Sequence, residues 1–250
     1  MGRVERYLID QLAKDGVLHI TLIDPEKMPL KDVVRVAAEA EGGGTSAIMV
    51  GGSTLVSNQD LDEAVKAIKN AVKIPVILFP NNISGISRFA DAVWFMSLLN
   101  SSNTYYLIEA QALAAALVKR YQLEAIPMGY IIVGEGCAAG YIGHARPISP
   151  EYPEIVGGYA LAGVYLGMRF IYLEAGSGAK EPVPPETISM VKKITGSPLI
   201  VGGGIRDAST AERAAQAGAD IIVTGTLVEQ VDQVKEKIHE IVEGIRKVRR

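Results

Sequence analysis

Three turns marked by glycine follow short β-branched runs in the last third of the sequence. They are Glu174-Ala175-Gly176-Ser177-Gly178, Gly202-Gly203-Gly204 and Gly225-Thr226. Because glycine has no Cβ, the backbone N–H groups of such turns approach an anion closely, and the N-terminus of a following helix adds the positive end of its dipole. Turns of this kind predict a binding site for a small phosphorylated substrate.

Glu174 is the acidic residue nearest to these turns, two positions before Gly176. A carboxylate placed there is within reach of a hydroxyl on a bound phosphate of glycerol size, which is the position that a general base requires. The alternative is a structural carboxylate that accepts hydrogen bonds from amides of its own loop. We interpret Glu174 as the base.

A second polar group follows the first two predicted strands and comprises Asp24, Lys27 and Ser53. A single carboxylate that faces substrate phosphates is a common way to hold Mg²⁺, which keeps several of its own waters. Ser53 would support that ion across the site, and Lys27 would meet a diphosphate as a point charge. Asp24 followed by Pro25 is equally typical of a helix start, and Lys27 of a surface lysine in a first turn. Both alternatives stay open at this stage.

The order of elements predicts an α/β fold, the TIM (β/α)8 barrel. Strand-like runs occur at 17–23, 46–50, 75–79, 92–96, 125–133, 169–173, 198–202 and 220–224, and segments of helical period separate most of them. Continuous apolar strands that alternate with helices are typical of a parallel barrel, whose chemistry gathers at the C-terminal strand ends. Two connections deviate: residues 80–91 are too short and broken for a full helix after strand 3, and a long insertion separates strands 5 and 6.

Composition limits the function classes. With 250 residues, 48% of them hydrophobic, we predict a single domain over residues 1–250. The net charge of −3 with mixed signs argues against nucleic-acid binding, and Cys137, the only cysteine, excludes an intrachain disulfide and a cysteine-built zinc site. Without a long apolar run or a signal-like start, we expect a cytoplasmic protein. The basic end of the last helix is a solvated terminus or, alternatively, a transient contact with an anionic membrane.

Five segments together resemble the geranylgeranylglyceryl phosphate synthase family, which includes the bacterial heptaprenylglyceryl phosphate synthases. The segments are His19–Lys27, Val50–Ser53, Tyr172–Ala179, Val201–Arg206 and Val223–Thr226. The resemblance runs along nearly the whole barrel. The first segment and the Tyr-Leu-Glu-Ala-Gly-Ser-Gly run are specific, whereas many phosphate-binding barrels share the last two.

The resemblance implies a Mg²⁺-dependent prenyltransferase that joins the 3-hydroxyl of sn-glycerol 1-phosphate to geranylgeranyl diphosphate, the first ether bond of archaeal-type membrane phospholipids. It implies that Asp24 and Ser53 hold Mg²⁺, and that Glu174 and Lys27 are catalytic. It also implies a homo-oligomer, a hexamer in preference to a dimer. The residues implied to bind glycerol phosphate are Tyr172, Leu173, Glu174, Ala175, Gly176, Ser177, Gly178, Gly203, Gly204, Gly225 and Thr226.

A polyprenyl tail requires an apolar trough that leads away from the barrel mouth. We predict its walls from two groups: Trp94, Phe95, Leu98, Tyr105 and Tyr106 near strand 4, and Val156, Tyr159, Ala160 and Val164 on the helix predicted from Glu154 to Gly167. A bulky ring at Tyr105 or Tyr106 would limit tail length. The alternative is that these residues belong to the core or to a subunit interface, with Trp94-Phe95 as its anchor.

Three alternatives to this activity remain open at the level of sequence. A heptaprenylglyceryl phosphate synthase would use a longer donor, and chain length is not readable from these residues. Another phosphate-binding barrel, an isomerase or cyclase of a phosphosugar, would have similar glycine turns but would need neither Mg²⁺ nor a trough. A noncatalytic barrel would only bind a phospho-ligand.

Overall fold

A computed structural model describes residues 1–52, 57–134, 136–229 and 232–248. Within these residues, eight parallel strands close into a barrel in sequence order, with the last strand paired to the first. The strands are β1 Leu18–Ile23, β2 Ala47–Val50, β3 Val76–Leu78, β4 Ala92–Leu98, β5 Glu124–Ile132, β6 Phe170–Glu174, β7 Leu199–Gly202 and β8 Ile221–Thr224. The predicted TIM barrel is confirmed, and every strand overlaps its predicted run.

Helices cover the outer face of the barrel, so the strands are buried on both sides and need apolar residues throughout. On β2, for example, Ala47 and Met49 belong to the interior cluster, whereas Ile48 and Val50 pack under the helices. The helices are α1 Arg3–Asp15, α2 Leu30–Gly43, α3 Asn58–Ala71, α4 Ala110–Arg120, α5 Cys137–Ile142, α6 Pro153–Tyr165, α7 Pro185–Thr195, α8 Ala208–Ala217, α9 Thr226–Glu229 and α10 Val234–Arg246. In the described ranges, none of these helices has the length and apolar character needed to cross a membrane.

Both predicted deviations from the ideal repeat are present. Residues 79–91, all of them described, contain a single 3₁₀ turn, Ile83–Gly85, in place of an α-helix. The connection from β5 to β6 contains α5 and α6. A π-helical turn, Tyr105–Glu109, leads into α4. The short connection places only this turn between β3 and β4, and Ile83 and Ile86 at the turn line the cleft at the barrel mouth.

Helix α1 was not among the predicted elements, and it closes the N-terminal end of the barrel. Val4 and Leu8 pack into the interior cluster. The Glu124 carboxylate accepts hydrogen bonds from the N–H groups of Val4 and Glu5, at 2.7 and 2.8 Å. The buried Glu5 carboxylate accepts a bond of 2.7 Å from the Arg169 guanidinium, which compensates its charge. The mouth at the C-terminal strand ends is therefore the end that remains for a ligand.

His19 on β1 is buried in a cluster of threonines between strands. Its Nδ1 lies 3.0 Å from the Thr45 hydroxyl and its Nε2 2.9 Å from the Thr224 hydroxyl. The ring is 1% exposed, and burial lowers the pKa of His19 from 6.5 to about 3. The folded protein therefore holds this histidine neutral over most of the acidic range.

Acid is expected to destabilise the fold through His19. Between pH 6.5 and about 3, the unfolded chain binds a proton at this ring that the folded chain does not bind. The stability contribution is complete above pH 6.5 and is lost as the pH falls, by up to about 1.4 kcal/mol per pH unit. Urea unfolding from pH 7 to pH 4 measures this slope. The His19→Asn variant should be less stable at pH 7 but should lose that part of the slope; identical slopes would contradict the assignment.

Candidate active site

The alternation of side chains along β6 determines which residues of the specific sequence run face the barrel mouth. Tyr172 and Glu174 point inward, whereas Leu173 between them packs with the outer core. Tyr172 is 1% exposed and Glu174 6%. The strand therefore delivers a hydroxyl and a carboxylate to one wall of a cleft.

The Glu174 carboxylate lies in a tight pocket formed by glycines. Its Oε1 accepts a hydrogen bond of 2.6 Å from the Gly176 N–H, and a Cβ on Gly203 would lie 2.4 Å from the same oxygen. Burial raises the pKa of Glu174, while the Gly176 N–H and the hydroxyls of Tyr172 and Tyr130 oppose that rise. One oxygen of Glu174 thus accepts a hydrogen bond from an amide of its own loop, as the structural alternative predicts. The carboxylate nevertheless also lines the cleft.

Three aromatic rings form the floor beneath Glu174. Phe79 stacks on Tyr172 at a centroid distance of 5.5 Å, and Tyr130 meets both rings at 5.6 and 5.2 Å. Phe79 and Tyr130 were not predicted as site residues. The available signal was an aromatic residue within each of two otherwise aliphatic strand runs. Tyr172 and Tyr130 are themselves buried, and an apolar, buried surrounding raises the proton affinity of a carboxylate.

The glycine turns after β6, β7 and β8 surround one space. The Ser177 hydroxyl lies 3.4 Å from the Thr226 hydroxyl, which brings the first and last turns together. Arg206 donates to the Ala179 carbonyl at 2.8 Å and so ties the β7 turn to the β6 turn. The residues of these turns that line the cleft are Ser177, Gly178, Gly203, Gly204, Gly225 and Thr226. Ala175 packs with Leu173 in the outer core, and Gly176 contributes through its N–H.

Asp24 lies at the end of β1, with a side chain only 5% exposed, and lines the cleft. Its Oδ1 accepts a hydrogen bond of 3.1 Å from the Glu26 N–H. Helix α2 begins six positions later at Leu30, with Pro29 as its N-cap, so Asp24 does not cap that helix. Burial raises the pKa of Asp24, and the Glu26 N–H and Lys27 oppose that rise.

The surroundings of Asp24 fit a divalent cation. A Cβ on Gly52 would lie 2.2 Å from Asp24 Oδ2, so glycine keeps open the space beside this oxygen. In the described part of the chain, no three His, Cys, Asp or Glu side chains are grouped to hold a metal. Asp24 would thus be one protein ligand among waters and substrate oxygens, as is usual for Mg²⁺. Ser53, the other predicted ligand, lies outside the described residues.

Lys27 stands at the rim of the cleft with 43% of its side chain exposed. Its Nζ donates to Glu229 Oε1 at 3.0 Å and lies 4.0 Å from Asp24 Oδ2. Glu229, on α9, also lines the cleft and was not predicted from the sequence. The sequence offers only one local indication of Glu229, namely its place three positions after the Gly225-Thr226 turn.

The cleft has an apolar part, a trough lined by residues of β4 and of the segments before and after it. Trp94, Phe95, Leu98 and Tyr106 line it, as predicted, whereas Tyr105 is not among the lining residues. The prediction for the second wall was wrong. Residues Val156, Tyr159, Ala160 and Val164 of α6 pack in the outer core near α7, and the opposite wall instead contains Ile83, Ile86, Ala110, Ala114, Ala139 and Ile142.

The prediction that Trp94 could anchor a subunit interface is wrong. Its side chain is fully buried inside the barrel, where the ring meets Phe170 at a centroid distance of 5.2 Å. A residue with 0% exposure in one chain has no surface with which to anchor a neighbouring subunit. Trp94 is therefore a core residue that also borders the cleft.

Comparison with known proteins identifies the family. Residues 10–245 match the PcrB family. The chain belongs to the PcrB family. A curated relative from Thermofilum pendens, named geranylgeranylglyceryl phosphate synthase, is 52% identical over 98% of this chain and 96% of its own length. A second relative of the same name, from Thermococcus gammatolerans, is 50% identical over 98% of both chains.

A crystal structure supports the same assignment of this PcrB family chain. It shows (S)-3-O-geranylgeranylglyceryl phosphate synthase from Thermoplasma acidophilum in complex with its substrate sn-glycerol-1-phosphate. That protein is 43% identical, the match covers 99% of this chain and 100% of the other, and the TM-score is 0.94. The predicted membership in the geranylgeranylglyceryl phosphate synthase family is confirmed.

The glycine at position 203 should be indispensable in this PcrB family member. Gly203 has a φ of +81°, and an added Cβ would also lie 2.7 Å from the Gly176 amide nitrogen. We expect Gly203→Ala to displace Glu174 and to weaken phosphate binding at least tenfold, measured by calorimetry with sn-glycerol 1-phosphate. Gly158→Ala on α6 is the control, since a Cβ there meets nothing within 4 Å. Equal affinities of the two variants would contradict this assignment.

Proposed function

We propose that this chain is a Mg²⁺-dependent geranylgeranylglyceryl phosphate synthase, which forms the ether bond between the 3-hydroxyl of sn-glycerol 1-phosphate and geranylgeranyl diphosphate. One observation carries the proposal: Asp24 and Glu174 face a single cleft that joins the glycine turns to an apolar trough. The names of the relatives and the glycerol phosphate complex of the Thermoplasma acidophilum protein support the choice of substrates.

The acceptor site would position the attacking hydroxyl. The glycine turns after β6, β7 and β8 would hold the phosphate, which does no chemistry itself but fixes the rest of the molecule. The oxygen of the 3-hydroxyl would attack C1 of the prenyl chain, and Glu174 would accept the proton that this hydroxyl loses. Its raised pKa suits this role, since burial increases the proton affinity of the carboxylate.

The donor site would carry the diphosphate at Asp24 and Lys27. The bond between C1 and the diphosphate oxygen breaks, and the leaving group keeps the electron pair. Bound Mg²⁺ would supply charge neutralisation of that leaving group. Lys27 would add a positive charge at the same place, where negative charge develops. Asp24, and Ser53 as a second predicted ligand, would hold the ion.

The trough would hold the prenyl tail. Its walls combine the aromatic residues of β4 with Ala110 and Ala114 on α4, whose small side chains leave room between the helix and the strand. Tyr106 lies along this path and would limit the tail length. A donor of geranylgeranyl length is the proposal, and a heptaprenyl donor is the variant to be tested beside it.

Incubation of the protein with radiolabelled sn-glycerol 1-phosphate, geranylgeranyl diphosphate and Mg²⁺ tests the proposal. We expect an organic-extractable labelled product that disappears with EDTA. Faster turnover with heptaprenyl diphosphate would favour the longer-chain alternative. A folded protein that binds glycerol phosphate but forms no product with either donor would contradict prenyl transfer and leave the phosphosugar enzyme or the noncatalytic barrel.

A homo-oligomer belongs to the proposal, a hexamer in preference to a dimer. Its support is apolar surface on the segment after β4, where Ile108 and Leu113 are 62% and 63% exposed. Sedimentation velocity measures the assembly directly. Cytoplasmic localisation and transient contact with a membrane surface stay predictions, and fractionation of cells tests both.

A further inference from the structure

The Lys27 ammonium lies between two carboxylates at the rim of the cleft. Its Nζ donates to both oxygens of Glu229, at 3.0 and 3.1 Å, and lies 4.0 Å from Asp24 Oδ2. Glu229 stands on α9, three residues beyond the Gly225-Thr226 turn, while Asp24 and Lys27 follow β1. Since β1 and β8 are adjacent in the barrel, this ion pair connects the two halves of the site.

We propose that Glu229 is a positioning residue, which holds the Lys27 ammonium away from Asp24 and thereby keeps the Asp24 carboxylate open to a divalent cation. This inference rests on the proposed function, in which the Asp24 carboxylate binds Mg²⁺. Glu229 itself touches neither substrate in this account. It acts through Lys27.

The reason lies in the mobility of lysine. Its charge is compact and sits on a flexible four-carbon stem, so a shift of about 1 Å would bring Nζ to hydrogen-bonding distance of Asp24 Oδ2. Asp24 is also more buried than Glu229, with 5% against 16% of the side chain exposed. An ion pair there would be less screened by solvent. Without Glu229, the ammonium would move to Asp24 and compete with the cation for the same oxygen.

The position of Glu229 allows an experiment to distinguish a positioning role from a purely structural role in α9. Both Thr226, at the start of α9, and Lys27 line the cleft. In the proposed function, Thr226 belongs to the acceptor half of the site and Lys27 to the donor half. If Glu229 only stabilised α9, its loss would disturb glycerol phosphate binding. If it positions Lys27, its loss should affect cation binding and leave the acceptor in place.

Mn²⁺ binding to the full chain without substrates, followed by electron paramagnetic resonance, tests the inference. We expect Glu229→Gln to raise the Kd for Mn²⁺ about two- to fivefold, the range of a partly exposed ion pair. In a Lys27→Met background, the same substitution should change this Kd by less than about twofold, because the competing ammonium is absent. A rise of equal size in both backgrounds would overturn the inference, since it would show direct attraction between Glu229 and the cation.

Two further measurements complete the test. Calorimetry with sn-glycerol 1-phosphate should give the same affinity for the wild type and Glu229→Gln; a loss of affinity would indicate a structural role and count against positioning. Glu240→Gln, which removes the partner of Lys237 at 2.9 Å on α10, is the matched control and should bind Mn²⁺ like the wild type. Mn²⁺ binding that Asp24→Asn does not weaken would contradict the proposed metal site, and with it this inference. Binding that depends on Asp24 but not on Glu229 would contradict only the inference.

Discussion

Replacement of Glu174 by Gln is expected to reduce turnover by about 10²- to 10⁴-fold, the usual loss when a general base is removed. Gln retains an oxygen that accepts the Gly176 N–H, so the loop should keep its shape. The affinity for sn-glycerol 1-phosphate should therefore change by less than about threefold, because in the proposed function the phosphate would bind the glycine turns rather than the carboxylate. Single-turnover product formation and calorimetry measure the two effects separately.

The pH dependence of the wild type provides a second test of Glu174. A base works only when it is ionised, so the rate should fall as the pH drops through the pKa of Glu174. Burial raises this pKa above that of an ordinary glutamate. The acidic limb should therefore lie at a higher pH than an exposed carboxylate would give, and it should disappear from the residual activity of Glu174→Gln. Unchanged turnover together with unchanged binding in that variant would contradict the role of Glu174 as the base.

Replacement of Asp24 by Asn is expected to act on the other substrate. The neutral amide is a poor ligand for Mg²⁺, so we expect the Mg²⁺ concentration for half-maximal rate and the KM for geranylgeranyl diphosphate to rise at least tenfold. Glycerol phosphate binding should stay within about threefold of the wild type. Steady-state kinetics with each substrate varied in turn measures this difference.

Asp10→Asn is the matched control for Asp24, because Asp10 lies exposed on α1 at the closed end of the barrel. It should leave both KM values and the Mg²⁺ dependence unchanged. Equal losses for the two substrates in Asp24→Asn would contradict the division of the cleft into a metal-dependent donor half and an acceptor half formed by amides.

The barrel and the core of the site were predictable because two local rules sufficed. Apolar runs that alternate with helices indicate parallel strands, and strand ends of a closed barrel meet at one mouth. Glu174, Asp24 and the three glycine turns all stand at such ends. The alternation of side chains along β6 also predicts that Tyr172 and Glu174 face the barrel interior while Leu173 faces the helices. The family resemblance, in contrast, implies that every residue of this run binds the substrate.

The rest depends on contacts between distant segments, which no local pattern encodes. The pair of Lys27 and Glu229 joins residues 202 positions apart. Helix α1 closes the barrel through Glu124 and Arg169, which lie more than a hundred residues away in sequence. The α6 residues were assigned to the trough on apolar character alone, but the direction of a helix face follows from what packs against it, here α7. The role of Ser53 stays a prediction.

A crystal structure of this chain with sn-glycerol 1-phosphate tests the central claim most directly. The account predicts the phosphate among Ser177, Gly204 and Gly225, with the 3-hydroxyl within about 2.6–3.2 Å of a Glu174 carboxylate oxygen. A phosphate bound in another place, or a 3-hydroxyl turned away from Glu174, would contradict it.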